Sequence, residues 1–498
     1  MAGWTLASRL LGLVRDVLLF ASLGTGALNS AFILAFTLPN LFRRLLGEGA
    51  LTSSSIPVLA ASLERGGTGE AFRLLNGILV RLGGGLLLLQ VIGLPIFFLL
   101  RSVPGVSGRW HLGAELSQYL FPYMIFICLG ALICGMLNVL GRFGVAAFNQ
   151  VWLNLTMIGA MVGGLIFFSL DGMARVLLIS LGVLAGGVLQ LALPAGALFR
   201  EGWRPHLYGT AHEDLGKVMR LFLPGLLGAA IFQLNILVSR FLAFSLDDTA
   251  TGLLYLASRL VELPLGVFAI AVTTVVFPEL SRLSALKSEE AFATIYTRGL
   301  SLILMITLPA ALGLILLAGP ILGFLFEWGF FTASDVRAAI PVLMVAATGL
   351  PFFAWSTLLT RAWYARQEMR IPVYLAGGNL LLNLVLGLIL MRVFGAAGLA
   401  LANTLSAALH CLALQFFLPG KSLRVGGLRT LLSLLTALAL MGTGAFVGLN
   451  GLALFGLEGK VYDFVVVMVL IPTLAGIYLA VLRGLRFPPL LFLLGRRR

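Results

Sequence analysis

The sequence predicts an all-α polytopic membrane protein of about fourteen transmembrane helices. Three observations carry that prediction. Hydrophobic residues fill 60% of the 498 positions and charged ones only 11%. Apolar runs near the ~20 residues needed to cross a bilayer recur along the whole chain. The polar connections between them are short, the longest roughly 15–20 residues, which leaves no room for a sizeable soluble domain. The apolar–polar alternation of a transmembrane β-barrel is missing, and the long apolar runs exclude it.

Taken in order, the spans fall near 5–23, 28–62, 72–100, 116–140, 146–169, 175–199, 217–244, 250–281, 298–318, 335–360, 371–391, 396–418, 428–449 and 463–483. Each is expected to be helical, because the bilayer offers backbone N–H and C=O groups no other partner. Several are longer than a crossing needs, so tilts, breaks or extensions into water are expected. Pro39, Pro264 and Pro351 are the candidate break points, since proline removes a helix hydrogen bond. An internal repeat groups the spans. Pro122-Tyr-Met pairs with Pro351-Phe-Phe, and Gln150-VWL-Asn154-Leu with Asn379-LLL-Asn383-Leu, at the same separation. SSIPVL, ending at Leu59, echoes VVFPEL, ending at Leu280. The expected domains are an N-lobe, 1–200, of six spans, a pseudo-symmetric C-lobe, 201–420, of six more, and 421–498 with the last two spans and a basic tail. Two lobes around a midplane site suit alternating access. Gly159-xxx-Gly163 and Gly182-xxx-Gly186 have the spacing that lets helices approach closely.

The formal net charge is +14. In a soluble protein that would suggest nucleic acid; here topology accounts for it, and no nucleic-acid partner is expected. With the N-terminus inside, roughly 21 Lys/Arg fall in cytoplasmic connections, about six outside and about seven in the spans. Arg65, Arg142, Arg204, Lys217, Lys287, Arg366, Lys421 and Arg496–Arg498 are among the inner ones; Arg101, Arg109 and Lys460 are among the outer ones. Both termini are therefore expected in the cytoplasm. No cleavable signal is evident, because Arg9 and Arg15 interrupt the first apolar stretch.

The stretch from Ser8 to Leu63 carries the chemistry. It reads SRLLGLVRD, a GTG turn at Gly24–Gly26, then LPNLFRRLLGEGA. A charge at bilayer depth costs at least ~2.5–3.5 kcal/mol, so charges kept there face water, each other or a charged ligand. The excess of arginine points to an anion, since the guanidinium fork matches phosphate oxygens. Arg9 and Asp16 share a helical face and Arg15 lies on another. Arg44 and Glu48 are spaced to pair, which leaves Arg43 without a partner on its own helix; Arg259 and Glu262 are spaced to pair as well. The expected site is a water-open cationic cavity in which Arg9, Arg15, Arg43 and Arg259 bind phosphate while Asp16, Glu48 and Glu262 orient the guanidiniums. The competing reading is interhelical ion pairs with arginines snorkelling to the interface, above all for Arg9.

These segments, with YLASRLVELPLGVF at Tyr255–Phe268, resemble the MurJ (MviN-type) family, the lipid II flippases of bacterial cell-wall synthesis within the multidrug/oligosaccharidyl-lipid/polysaccharide exporter superfamily. The resemblance runs from about Ser8 to the C-terminus. It implies a plasma-membrane flippase for undecaprenyl-pyrophosphate-linked peptidoglycan precursor, with lipid II, membrane lipids and the cell-wall synthesis machinery as partners. It implies that Arg9, Arg15, Arg43, Arg44 and Arg259 line a central cavity for the pyrophosphate, with Glu48 and Glu262 as acidic companions. It also implies that the last helix pair extends a groove for the prenyl tail. Ser30 and Ser258 stand where many members carry Asp, which makes this cavity more positive and removes carboxylates an ion-coupling scheme would need.

Other chemistry is not expected. No GxxxxGK[ST] phosphate loop is present, so no ATPase is expected. No cofactor is expected; the membrane potential or a coupling ion is left open as the energy source. His111, His206 and His212 read as loop residues, and with His410 they show no metal spacing. Cys128, Cys134 and Cys411 read as buried thiols, and Asp247-Asp248 as a solvated cap. The RFPPLLFLLGRRR tail reads equally as an interfacial anchor on anionic lipid or a topology signal. The chain is expected not to be an enzyme. Rival readings are a flippase for another polyprenyl-linked glycan of O-antigen type, a MATE-like multidrug exporter, a polyprenyl-phosphate glycosyltransferase and a non-transporting scaffold. The surplus arginine disfavours the exporter and the scaffold, and the short external loops disfavour the transferase.

Overall fold

The computed structural model describes all residues except 1, 48, 106, 167–169, 207–211, 420–426 and 494–498. Glu48, Lys421 and Arg496–Arg498 therefore lie outside the described residues, as do the tail's last positions. The described chain is helical, with no strand among the described residues. It divides into two units, one of Met1–Gly252 with Gly329–Phe331, the other of Leu253–Trp328 with Thr332–Arg498.

The first unit contains α1 (Ala2–Leu23), α2 (Ala27–Phe42), α3 (Ala50–Ser102), α4 (Gly108–Leu120), α5 (Tyr123–Val139), α6 (Phe143–Ile166), α7 (Gly172–Arg200) and α8 (Leu215–Leu246). Pro39 sits near the end of α2, and a π-helical turn, Arg43–Gly47, follows directly. The α3 run is two helices broken at Gly67, whose φ of 72° suits a residue without a Cβ. Its core gathers Leu59, Leu74, Leu75 and Met136 with Trp203 and Leu215. The chain bends by 40° between α4 and α5. Gln90 of α3 crosses to donate to the carbonyl of Phe121 at 2.8 Å, an oxygen at the bend that also accepts from Met124 N–H at 3.2 Å. Gly182 and Gly186 do let α7 approach α6: a Cβ at Gly186 would lie 2.5 Å from Thr156 Oγ1 and 2.9 Å from Leu153 Cα. Gly159 and Gly163 face open space instead.

The second unit contains α9 (Ala250–Pro264, which begins at the unit boundary), α10 (Ile270–Ala285), α11 (Glu289–Leu316), α12 (Ala318–Phe326), α13 (Ala333–Thr348), α14 (Leu350–Ala365), α15 (Arg370–Phe417), α16 (Leu428–Leu454), α17 (Gly459–Val465), α18 (Ile471–Gly484) and α19 (Pro488–Leu493). Pro264 ends α9 and opens a second π turn, Leu265–Ala269; a third, Val466–Leu470, ends just before Pro472. Pro351 stands in the first turn of α14, after the break at Gly349. All three prolines thus mark departures from the α-helix. Pro122 and Pro351, paired in the repeat, each begin the second half of a broken helix. The α15 run breaks at Gly395, where φ is 58°. Trp363, Tyr296 and Phe292 fill the core with Leu358 and Cys411. All three cysteines are free and buried.

Among the described residues, nine helices are long and apolar enough to cross a membrane, or ten if the bent α4–α5 pair is one span. The boundaries differ from the expected ones for physical reasons. Helix stops at breaks inside runs read as one span, at Gly49 and Gly349, whereas the breaks at Gly67 and Gly395 fall in the expected gaps 63–71 and 392–395. His111 is a correction: it lies in the first turn of α4, not in a loop, because helix begins at Gly108 after Ser107.

Between α7 and α8, Asp214 is buried and paired with Lys217 at 2.5 Å and with Arg65. The Lys217 hydrogen bond, then that of Arg65, holds the Asp214 carboxyl below the usual aspartate range, against the opposing effect of burial. A lowered native value means stability that is complete above the ordinary aspartate range and is lost as pH falls through the lowered value. Asp214→Asn is therefore expected to unfold at lower temperature than wild type at neutral pH, with the difference closing at strongly acidic pH in parallel melts of purified protein.

Candidate functional site

In the first unit the arginines sit on α1 and at the end of α2. Arg9 is half-buried on α1. Arg15 and Asp16 are buried, 7% and 3% exposed. Although adjacent in sequence they form an ion pair, with Asp16 Oδ1 accepting from Arg15 Nη2 at 2.7 Å and Nε at 3.1 Å. Arg15 Nη1 also donates to Asn154 Oδ1 of α6 at 3.2 Å. A charge pair this deep needs hydrogen bonds on both members, and Asn154 supplies one. Asn154 belongs to the repeat motif, which was the available signal for it.

Arg43 and Arg44 open the π turn after α2 and are half-buried. Arg43 does have a partner on its own helix, a correction: its Nε donates to Asn40 Oδ1 at 2.7 Å. Asn40 is three residues back, on the same face, and an amide acceptor escapes a search for opposite charges. Pairing of Arg44 with Glu48 lies outside the described residues. A π turn widens the helix and is frequent at functional sites; here it carries both arginines.

In the second unit Arg259 Nη1 donates to Glu262 Oε2 at 2.9 Å, the expected i, i+3 pair. Its Nη2 donates to the Tyr255 hydroxyl at 2.9 Å, and its guanidinium carbon lies 4.8 Å from the Tyr255 ring centroid. Tyr255, one turn back, was legible as the first residue of YLASRL. Glu262 and Tyr255 hold the guanidinium by ion pair, hydrogen bond and ring face, which fixes its fork. The π turn after Pro264 follows directly.

The two serines found where Asp was expected are both satisfied. Ser258 Oγ donates within its own helix to Leu254 O at 2.7 Å. Ser30 Oγ donates to Asp248 O at 2.6 Å. Asp247 accepts from the Thr249 and Ala250 backbone N–H groups, both at 2.7 Å, and so caps α9. Nearby in the first unit, Phe330 N–H donates to Ala21 O at 2.8 Å. Arg175 Nη1 donates to Ser22 O at 3.0 Å, with its guanidinium carbon 3.8 Å from the Phe330 ring centroid. No group of three or more metal-ligating side chains occurs among the described residues.

The apolar, proline-broken helices, with arginines held beside the breaks, define the class as a many-helix membrane protein, and its fold is shared with solved transporters. A solved "Inward-facing conformation of a multidrug resistance MATE family transporter of the MOP superfamily" shares the fold, with a TM-score of 0.66 at 16% identity over 82% of this chain and 93% of that one. A solved "Lipid II flippase MurJ, inward closed conformation" superposes with a TM-score of 0.79 at 25% identity, over 97% of this chain and 99% of that one. A family model described as "Lipid II flippase MurJ" matches residues 20–473. The chain belongs to the MurJ family. A "Probable lipid II flippase MurJ" of Bdellovibrio bacteriovorus is 34% identical over 83% of this chain and 80% of its own length. That of Vibrio cholerae is 34% identical over 82% and 80%. Arg43, Arg44 and Arg259 lie inside the matched stretch; Arg9, Arg15 and Asp16 precede it. The family and the many apolar helices make this a multi-pass protein of the bacterial inner membrane.

Proposed function

We propose that this chain is a lipid II flippase, moving undecaprenyl-pyrophosphate-linked peptidoglycan precursor from the cytoplasmic to the outer leaflet by alternating access. Family membership across residues 20–473 is the observation that carries the reading. In it, about fourteen spans form two pseudo-symmetric six-helix lobes with two further helices, and the basic loops keep both termini in the cytoplasm. Arg43, Arg44 and Arg259 bind the pyrophosphate, Arg9 stands at the margin, and Glu48 and Glu262 orient the forks. Arg15 and Asp16, locked to each other, hold α1 against α6 beside the cavity. The test is rescue: the chain is expressed in a bacterium depleted of its own lipid II flippase, and lipid II exposed on the outer leaflet is followed. Restored exposure is expected. A well-inserted protein that restores none would move the assignment to another polyprenyl-linked glycan.

We further propose that the membrane potential, negative inside, drives the cycle. It is worth ~2.3 kcal/mol per charge per 100 mV, favouring an anionic headgroup moving out and an emptied cationic cavity returning. Collapsing the potential is expected to slow export in proportion; unchanged export would sink the idea.

A further inference from the structure

Behind the arginine-bearing π turn, the first unit holds a cavity of about 240 Å³. Leu46 of that turn walls one side, Leu82 and Gly85 of α3 another, and Val218 and Phe222 of α8 a third. Among the described residues that line it, Arg81 alone is charged. Arg81 is exposed, and its Nη1 donates to Gly77 O at 3.1 Å, which uses one of five N–H donors. The α8 residues concerned all lie in its first two turns, so the cavity sits within about 11 Å of that helix end. The space beside Gly85 is open: a Cβ there would meet nothing within 4 Å, so a larger side chain can be built into the slot.

An apolar slot with one arginine among its lining residues matches an amphiphile with an apolar chain and an anionic head. A free phosphate could use Arg81 but none of the wall, and a neutral apolar molecule could use the wall but not Arg81. We propose that the cavity binds one acyl chain of an anionic phospholipid whose phosphate is held by Arg81. Because Leu46 shares its five-residue turn with Arg43 and Arg44, the bound chain packs against the back of the segment that presents those arginines.

The test is native mass spectrometry of the full-length protein in detergent. The probes are palmitoyl-oleoyl phosphatidylglycerol, phosphatidylcholine with the same chains, and inorganic phosphate. Wild type is expected to retain phosphatidylglycerol about tenfold better than phosphatidylcholine. Arg81→Gln should remove that preference. Gly85→Leu, which fills the slot, should lower retention of both lipids, and Arg101→Gln, at the far end of α3, should change neither. Met219→Trp fills the same cavity from α8 and replaces Gly85→Leu if that variant does not fold. Phosphatidylglycerol preference surviving Arg81→Gln would overturn the headgroup assignment. Full retention in the filled variants would overturn the cavity, and displacement of the lipid by inorganic phosphate would reduce the site to a bare anion contact.

Discussion

Arg43→Ala is expected to abolish rescue of a bacterium depleted of its own lipid II flippase, and Arg259→Ala to do the same, with both variants inserted at wild-type levels. The expectation follows from how each guanidinium is held. Arg43 is aimed by Asn40, and Arg259 by Glu262 and Tyr255. These partners fix the orientation of each fork. A hydrogen bond to a charged group contributes about 1.5–3 kcal/mol, so each loss should weaken headgroup binding roughly ten- to a hundredfold. Arg43→Lys keeps the charge and loses the bidentate fork, so it should fall between wild type and alanine. Asn40→Leu should behave similarly, because it frees the fork without removing it. Wild-type rescue by both alanine variants would leave the flippase assignment standing and discard these residues as its pyrophosphate ligands.

Arg15→Ala, by contrast, is expected to act on stability, destabilising the fold by about 3–5 kcal/mol by leaving the buried Asp16 carboxylate without its guanidinium. Asp16→Ala strands the opposite charge and should cost a similar amount. The double variant Arg15→Met/Asp16→Leu should recover most of the loss, since an apolar pair of similar volume avoids burying charge at all. Denaturation in detergent, compared across the three variants, reads this directly. A double variant as unstable as the sum of the singles would show that the pair is not a closed unit. Lost export in an Arg15→Ala protein of unchanged stability would instead return Arg15 to the substrate.

Much of this was legible in the sequence because it is local. The three prolines announced departures from the α-helix, the i, i+3 spacing announced Arg259–Glu262, and Asp247 announced a cap. What escaped was of two kinds. Asn154 meets Arg15 across a separation of many turns, and no local pattern encodes such a pairing. Asn40 is close by but uncharged, so counting charges overlooked it. Span boundaries failed where apolarity and helix geometry part company. Hydropathy ends a segment at a polar residue, whereas a helix also ends where backbone geometry forces it inside an apolar run, as at Gly49 and Gly349; Gly67 and Gly395 break the helix where hydropathy already left a gap.

The π turns have an evolutionary consequence. An i→i+5 turn holds one more residue than the α-helical turn it replaces. Each therefore accommodates one residue more than plain α-helix would at the same place. Deleting one residue within Arg43–Gly47 should restore plain α-helix and rotate everything on one side of it by about 100°. That would swing α2 away from α4 and α8, against which it now packs. Relatives that differ in length here should differ inside the spans, by single residues beside a proline. A membrane helix has no loop within it to absorb such a change, so a π turn is where a span can take up an extra residue.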